Sequence, residues 1–274
     1  MNVENLFAEI SNLPNIPKVV QELIESFKKE DVNSEELASK IAMDQVLSAK
    51  VLRMANSAHF GVSRTIASTN DAVVLLGFNA LRTLVLASGL TGAFKAPEGF
   101  NIEDFWKISF RTGAVSKWLA KNVKADPETA FTCGMLHNVG SVLLHLGVSE
   151  QALSIDKAVE LGADRVELEM SQIGVSYPQV GEELALRWKF PEEISKAIGE
   201  QTDPLSADEF SVLAGILHVA KYLVECNRCG LSEEETIADF PTEIARAAGL
   251  EPSQLFDALG ETADLGAEFD QILH

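Results

Sequence analysis

Cysteine is scarce. Cys133, Cys226 and Cys229 are the three in 274 residues, too few and too odd in number for a disulfide scaffold. Basic residues are also in short supply: 22 Lys and Arg stand against 41 Asp and Glu, a formal charge of −19. The surface as a whole therefore repels phosphate backbones, and a nucleic-acid partner is not expected. Long apolar runs are absent. The most apolar stretches, Ala72–Leu76 and Leu84–Leu90, fall far short of the roughly 20 residues that span a bilayer. The opening Met1-Asn2-Val3-Glu4-Asn5 carries an acid where a secretory signal carries basic residues. There is no convincing alternating strand, no repeat of 20–50 residues and no glycine-rich phosphate loop. These absences predict a cytoplasmic protein with no membrane and no nucleic acid among its partners. What remains is an ordinary globular composition, 46% apolar and 23% charged.

Helical periodicity fills the chain. Val19, Leu23 and Phe27 follow Pro17 at i, i+4 and i+8, an apolar stripe on a helix that Pro17 starts. Asn33 with Glu36 forms a capping-box pattern before a helix carrying Leu37 and Ile41. A third helix is predicted from Gln45 to Ala55. Ala72–Leu76 follows, then Gly77 as a break, then a long helix from Leu81 towards Phe94. Lys95-Ala96-Pro97-Glu98-Gly99 interrupts the pattern and is the best internal boundary. Beyond it, helices are predicted over Phe105–Val123, from Pro127 without a break to about Leu146, and over Ser149–Leu161, Asp164–Gln172, Pro178–Trp188 and Pro191–Glu200. Ser206 with Glu209 repeats the capping pattern before a helix from Phe210 to Cys226, with Gly230 as its C-cap. The expected fold is all-α, divided at 1–96, 97–230 and 231–274. Residues 231–274 hold 11 acids and one base, Arg246, and so carry more than half of the net charge. Ile237, Ile244, Ala248, Leu255, Phe256, Leu259 and Ile272 predict short amphipathic helices there, as a helical cap or an acidic docking surface.

Several blocks occur together in order: Leu13-Pro14-Asn15-Ile16-Pro17, Ile41-Ala42-Met43-Asp44, Ala55-Asn56-Ser57-Ala58-His59-Phe60-Gly61 and Ala72-Val73-Val74-Leu75-Leu76-Gly77. Phe105-Trp106-Lys107-Ile108-Ser109 comes next, then Phe131-Thr132-Cys133-Gly134-Met135-Leu136-His137-Asn138-Val139-Gly140. Val180-Gly181, Trp188 and Pro191-Glu192-Glu193-Ile194 close the series. Together they resemble the HDOD family, the "HD-related output domain" of bacterial signalling, over roughly residues 10–225. The resemblance implies an HD-like helical core with an N-terminal helical subdomain, to which residues 231–274 add a short acidic helical extension.

Metal-dependent HD phosphohydrolases, to which the resemblance extends, hold their metals with a His, a His-Asp pair and a distal Asp. Those ligands gather divalent ions that activate water and stabilise phosphoryl charge. By resemblance the four positions here read Ile108, His137-Asn138 and Lys221. Isoleucine offers no lone pair, a neutral amide lacks the carboxylate charge, and an ammonium repels a cation. Tyr177 replaces a further histidine, and Glu200-Gln201 stand where a His pair often appears. The implied protein is not an enzyme and has no metal or other cofactor. It is a regulatory module acting on other signalling proteins through protein contacts, with His137 as a hydrogen-bonded core histidine. Two alternatives remain. One is a nucleotide sensor without turnover, with His137, Asn138 and His218 lining a pocket. The other is a degenerate hydrolase with a rearranged metal set.

Two further patterns are weaker. Cys226-Asn227-Arg228-Cys229 is a lone CxxC at a helix C-terminus, where the dipole opposes a thiolate. Lys117, Lys121 and Lys124, at i, i+4 and i+7, predict a basic helix face, solvated or bound to an anionic partner.

Overall fold

The computed structural model describes residues 1–10, 16–26, 34–56, 65–94 and 96–266. Among them are seventeen helices and no strand, so the all-α expectation holds. The first part comprises α1 (Val3–Glu9), α2 (Lys18–Ser26), α3 (Ser34–Met43), α4 (Gln45–Ala55) and α5 (Thr69–Ala93). The middle comprises α6 (Ile102–Ala120), α7 (Pro127–Leu136), α8 (Val139–Gly147), α9 (Ser149–Glu160), α10 (Arg165–Gln172), α11 (Tyr177–Arg187), α12 (Glu192–Glu200) and α13 (Val212–Cys229). Four short helices finish the chain: α14 (Glu233–Ala238), α15 (Thr242–Ala247), α16 (Pro252–Asp257) and α17 (Leu259–Thr262). Leu13-Pro14-Asn15, the Asn33 cap, the Ser57–Gly61 stretch with His59, Lys95 and Ile272 lie outside the described residues.

The helix starts follow from side-chain caps. Asp44 accepts from the backbone N–H of Val46 and Leu47 at α4, and Ser68 from that of Asp71 at α5. Asp126 caps α7 with Pro127 in its first turn, where a missing N–H costs nothing. Gly77 interrupts α5 with φ +81° and ψ 167°, so Thr69–Phe78 and Ala80–Ala93 meet at 119°. A positive φ of this kind is open to glycine at little cost. Among the described residues no single helix is long and apolar enough to cross a membrane. Asn56 ends α4 as expected, but its amide also reaches onward, exchanging hydrogen bonds with the backbone of Ile66 at 2.7 and 2.8 Å.

Three expectations need correction. The helix predicted from Pro127 to Leu146 is two helices, turned at His137 and Asn138. Both halves are buried nearly throughout, so the apolar pattern continues across the break and conceals it. Ser206 does not cap α13; its hydroxyl donates to the Asp203 carbonyl at 2.9 Å, and Ser211 caps the helix instead. The basic face of Lys117, Lys121 and Lys124 does not form. Helix α6 ends at Ala120, and Lys117 turns inward to Glu128 at 2.6 Å. Glu128 accepts from Thr83 at 2.6 Å through its other oxygen, so one carboxylate ties α5, α6 and α7 together. Helix α1, unforeseen in the sequence, packs Leu6 and Phe7 against α8 and α11.

The buried side chains form one contiguous core from Leu6 to Leu259. Its most extensive helix pair is α6 on α7. A β-carbon at Gly134 would stand 2.6 Å from the Cα of Gly113, a backbone contact that no rotamer relieves. The extension packs as a cap on α13: Phe240, Ala245, Ala248 and Leu255 are buried, while Ile237 is exposed. Tyr222 donates to the Thr236 carbonyl at 2.8 Å, and Phe240 meets the rings of Tyr222 and Phe256 edge-on.

Gly134→Ala should destabilise the protein by about 3 kcal/mol, the upper part of the overpacking range. Gly260→Ala, with nothing within 4 Å of the added methyl, should stay within about 0.5 kcal/mol of the parent. Urea denaturation of the pair checks this, and equal stability of the two variants would contradict the close approach.

Candidate functional site

His137 follows directly on α7 and is buried, with 4% exposure. Its Nδ1–H donates to the Gly134 carbonyl at 2.6 Å, which leaves Nε2 as the lone-pair nitrogen of the neutral ring. Burial, and then the nearby Lys221 ammonium, push its pKa down to about 3. Asn138 accepts from the Ser141 hydroxyl at 2.6 Å. Gln201, fully buried at the end of α12, donates through Nε2 to the His137 and Ile198 carbonyls, both at 2.7 Å. The backbone carbonyl of Gln201 in turn accepts from Nδ1 of His218 at 2.9 Å. Burial also lowers the pKa of His218. The structure thus brings His137, Asn138, Gln201 and His218 into one neighbourhood, with Lys221 close enough to act on both histidines.

Lys221 donates to the Tyr177 hydroxyl at 2.7 Å. Ile108 lies apart on the wall of a cavity beside Val224, one turn of α13 beyond Lys221. The donor set does not fit a divalent metal. His137 offers one lone pair, at Nε2, the Asn138 oxygen is neutral and already an acceptor, Ile108 has no donor atom and Lys221 is a cation. Among the described residues no group of three or more His, Cys, Asp or Glu is placed to hold a metal.

A second cluster, in residues 145–177, was not visible in the sequence. Both ring nitrogens of His145 face oxygen acceptors, the Ser141 carbonyl and Asp156, each at 2.7 Å. Asp156 accepts from Arg165 at 2.6 Å, and Arg165 pairs with Glu169 at 3.4 Å. Burial would raise the pKa of Asp156, but hydrogen bonds from His145 and Arg165 hold it below its ordinary range. Glu169 is 1% exposed and accepts from the Tyr177 backbone N–H at 2.6 Å. Burial raises its pKa to about 7 despite that bond and Arg165. Tyr177 therefore joins the two clusters, through its backbone on one side and its hydroxyl on the other. Spacing offered one hint, the i, i+4 pair of Arg165 and Glu169 on α10.

The lone CxxC is at the end of α13, as expected, and Gly230 ends that helix at φ +68°. Cys226 is buried and Cys229 exposed, and both are free. A hydrogen bond to Glu225 raises the pKa of the Cys229 thiol.

The HDOD domain model matches residues 13–204. The chain belongs to the HDOD domain family. This HDOD protein is 36% identical to a Shewanella amazonensis protein provisionally named a phosphohydrolase; the match covers 98% of both chains with a TM-score of 0.84. A Marinobacter aquaeolei protein provisionally named for signal transduction is 22% identical, with a TM-score of 0.78 over 95% of this chain and 60% of its own, which shows a shared fold. An uncharacterised Treponema pallidum protein is 26% identical over 197 residues, 69% of this chain and 37% of that one. The HDOD chain thus spans little more than a third of the length of that curated relative.

The two buried titrating groups act on stability with opposite signs. His137 has a folded pKa below its unfolded value, so the stability it supports is present above about pH 6.5 and is lost as pH falls towards about 3. Glu169 has a raised folded pKa, so its contribution is present below about pH 4.5 and is lost as pH rises through about 7. Relative to the parent, Glu169→Gln should become less stable on acidification from pH 7 to 4.5, and His137→Gln more stable from pH 6.5 to 4.5. The limiting slope is roughly 1.4 kcal/mol per pH unit for each. Denaturant titrations across this window measure both differences, and trends of the same sign would refute the assignment.

Proposed function

We propose that this HDOD protein is a non-catalytic signal-transduction module, a regulatory chain that acts through contacts with other signalling proteins inside the cell. One observation carries the reading: the Lys221 ammonium is hydrogen-bonded to Tyr177 at 2.7 Å and acts on the buried His137, and by the family resemblance it stands where HD phosphohydrolases carry their distal aspartate. A cation fixed there opposes a dication electrostatically, and Asn138 brings no negative charge to offset it. Removing charged ligands from a metal site costs several kcal/mol of affinity where the site is dry. His137 is buried and neutral, and its Nε2 alone is a single ligand where a metal site needs several. Gln201, in the place of a frequent histidine, serves as a structural tie between the α7–α8 corner and α13. The polar groups inherited in these positions hold helices together, which suits a scaffold for partners better than a reaction centre.

Within this reading residues 1–96 form the N-terminal helical subdomain, residues 97–230 the HD-like core and residues 231–274 the acidic extension. Exposed apolar side chains on the N-terminal part, Met43 and Val46 beside Pro17 and Val19, offer a protein-contact surface.

Metal analysis by mass spectrometry decides the central point. Tag-free protein from manganese- and iron-supplemented culture should contain well under one equivalent of either metal. Stoichiometric metal that disappears in His137→Ala would overturn the reading and make phosphohydrolase assays the next step.

A further inference from the structure

His145 has more acceptors than a neutral ring can serve. It is buried on α8, with Nδ1 at 2.7 Å from the Ser141 carbonyl and Nε2 at 2.7 Å from Oδ2 of Asp156 on α9. A backbone carbonyl only accepts hydrogen bonds, and so does an ionised carboxylate. A neutral imidazole has a single N–H, so the nitrogen without it would turn a lone pair towards an oxygen lone pair. In a buried place an unmade hydrogen bond of this kind is costly.

Asp156 does not supply the missing hydrogen. Its other oxygen, Oδ1, accepts from the Arg165 guanidinium at 2.6 Å, and a guanidinium stays charged. Burial acts against the Asp156 carboxylate, but the bonds from His145 and Arg165 outweigh it and keep the group ionised. The hydrogen facing Oδ2 then belongs to the ring, as does the one facing Ser141. We infer that His145 is a buried imidazolium, donating from both ring nitrogens, and that this proton latches α8 to the corner formed by α9 and α10.

The surroundings on every side suit that ion. Asp156 faces it from α9, and Arg165 and Glu169 follow on α10 at 2.6 and 3.4 Å along the same chain of contacts. Helix α11 brings the Tyr177 backbone N–H to Glu169, α1 meets the end of α8 with the apolar Leu6, and Phe100 lays an uncharged ring at 4.6 Å. With His145 protonated and Glu169 ionised, the side chains of the cluster alternate in sign and sum to zero, which limits the desolvation cost. His137 is the contrast: it has a cation nearby instead of a carboxylate and keeps a lone pair at Nε2.

The corner is thinly anchored otherwise. Ala152 and Ile155 are the buried residues of α9, and on α10 the buried residue is Glu169 itself. Val159, Val166 and Leu168 are half-buried, and the turn between the helices leaves Leu161 exposed and holds Gly162 at φ +93°. Without its proton the Nε2 lone pair of His145 opposes Asp156, and the corner is freed from α8. The latch is held at neutral pH and released as pH rises. It stands whether or not the His137 neighbourhood is catalytic.

Nitrogen NMR of the full chain with isotope-labelled histidine tests the assignment. At about pH 7 both ring nitrogens of His145 should be protonated, while His137 shows one protonated and one lone-pair nitrogen. Asp156→Asn puts an amide N–H in place of Oδ2, so His145 should then be protonated on Nδ1 alone. Hydrogen exchange followed by mass spectrometry reads the latch. Between about pH 7 and about pH 9, protection of α9 and α10 should fall several-fold relative to α6 and α7, by at most about ten-fold per pH unit for one proton. Glu169 gives up its proton at about 7, so its own effect falls below this range. The fall should be absent in Asp156→Asn and in His145→Gln, and either variant suffices if the other fails to fold. A lone-pair nitrogen on His145 at neutral pH, two protonated nitrogens in Asp156→Asn, level protection in the parent, or an equal fall in a variant would each overturn the proposal.

Discussion

Helix α7 crosses α6 with no side chain between the backbones at Gly134 and Gly113, and that crossing sets the position of nearly everything else. A glycine inside a helix costs up to about 1 kcal/mol in propensity. The close packing it permits offsets that cost through dispersion along two long buried faces. The same device recurs after the chain turns at His137 and Asn138. A side chain at Gly140 would collide with the Tyr177 carbonyl, so α8 lies directly on α11. Between these two contacts the corner residues have little freedom. His137 is held between its own helix and Gln201, and Tyr177 is delivered to Lys221.

The polar interior divides into two regimes. In the 145–177 cluster, basic and acidic side chains alternate: His145, Asp156, Arg165 and Glu169 each face a partner. Around His137 the contacts are mostly neutral, to backbone carbonyls and amides, with Lys221 as the one nearby cation described. Burying ions in alternation limits the desolvation penalty. Leaving a histidine neutral avoids that penalty, and the large downward shift of its pKa expresses the same fact.

Much of the fold was legible in the sequence because caps and periodicity are local. Gln45–Ala55 was read correctly from its apolar spacing, and Gly77 and Gly230 were recognised as breaks. Failures occurred where tertiary contacts decide. The turn at His137 and Asn138 was hidden because the residues on either side are equally apolar. Lys117 was assigned to a basic face on the assumption that α6 runs past Ala120, whereas Glu128, on another helix, claims it. Helix α1 is too short for a periodicity to show, yet Leu6 is fully buried. At the candidate site, the motif order singled out His137, Asn138 and Lys221, which lie close together, and Ile108, which lies apart, but not the role of Gln201 as a tie between helices. Asp156 carries no local signal at all. Its partners, His145 and Arg165, stand 11 and 9 residues away in different helices, and only folding brings them together.

The shared carboxylate of Glu128 has a mechanical consequence. Lys117 and Glu128 are 17% and 12% exposed, and Thr83 completes the tie from α5. A pair so shielded is little weakened by dissolved salt. The tie between Lys189 and Glu25, also spanning the two ends of the fold, is 71% and 52% exposed and 3.5 Å long, and salt weakens it. Raising ionic strength therefore loosens one edge of the junction and leaves the other fastened. Salt thus acts on the outer hold of α2 and leaves α5 fastened to the α6–α7 pair through Glu128.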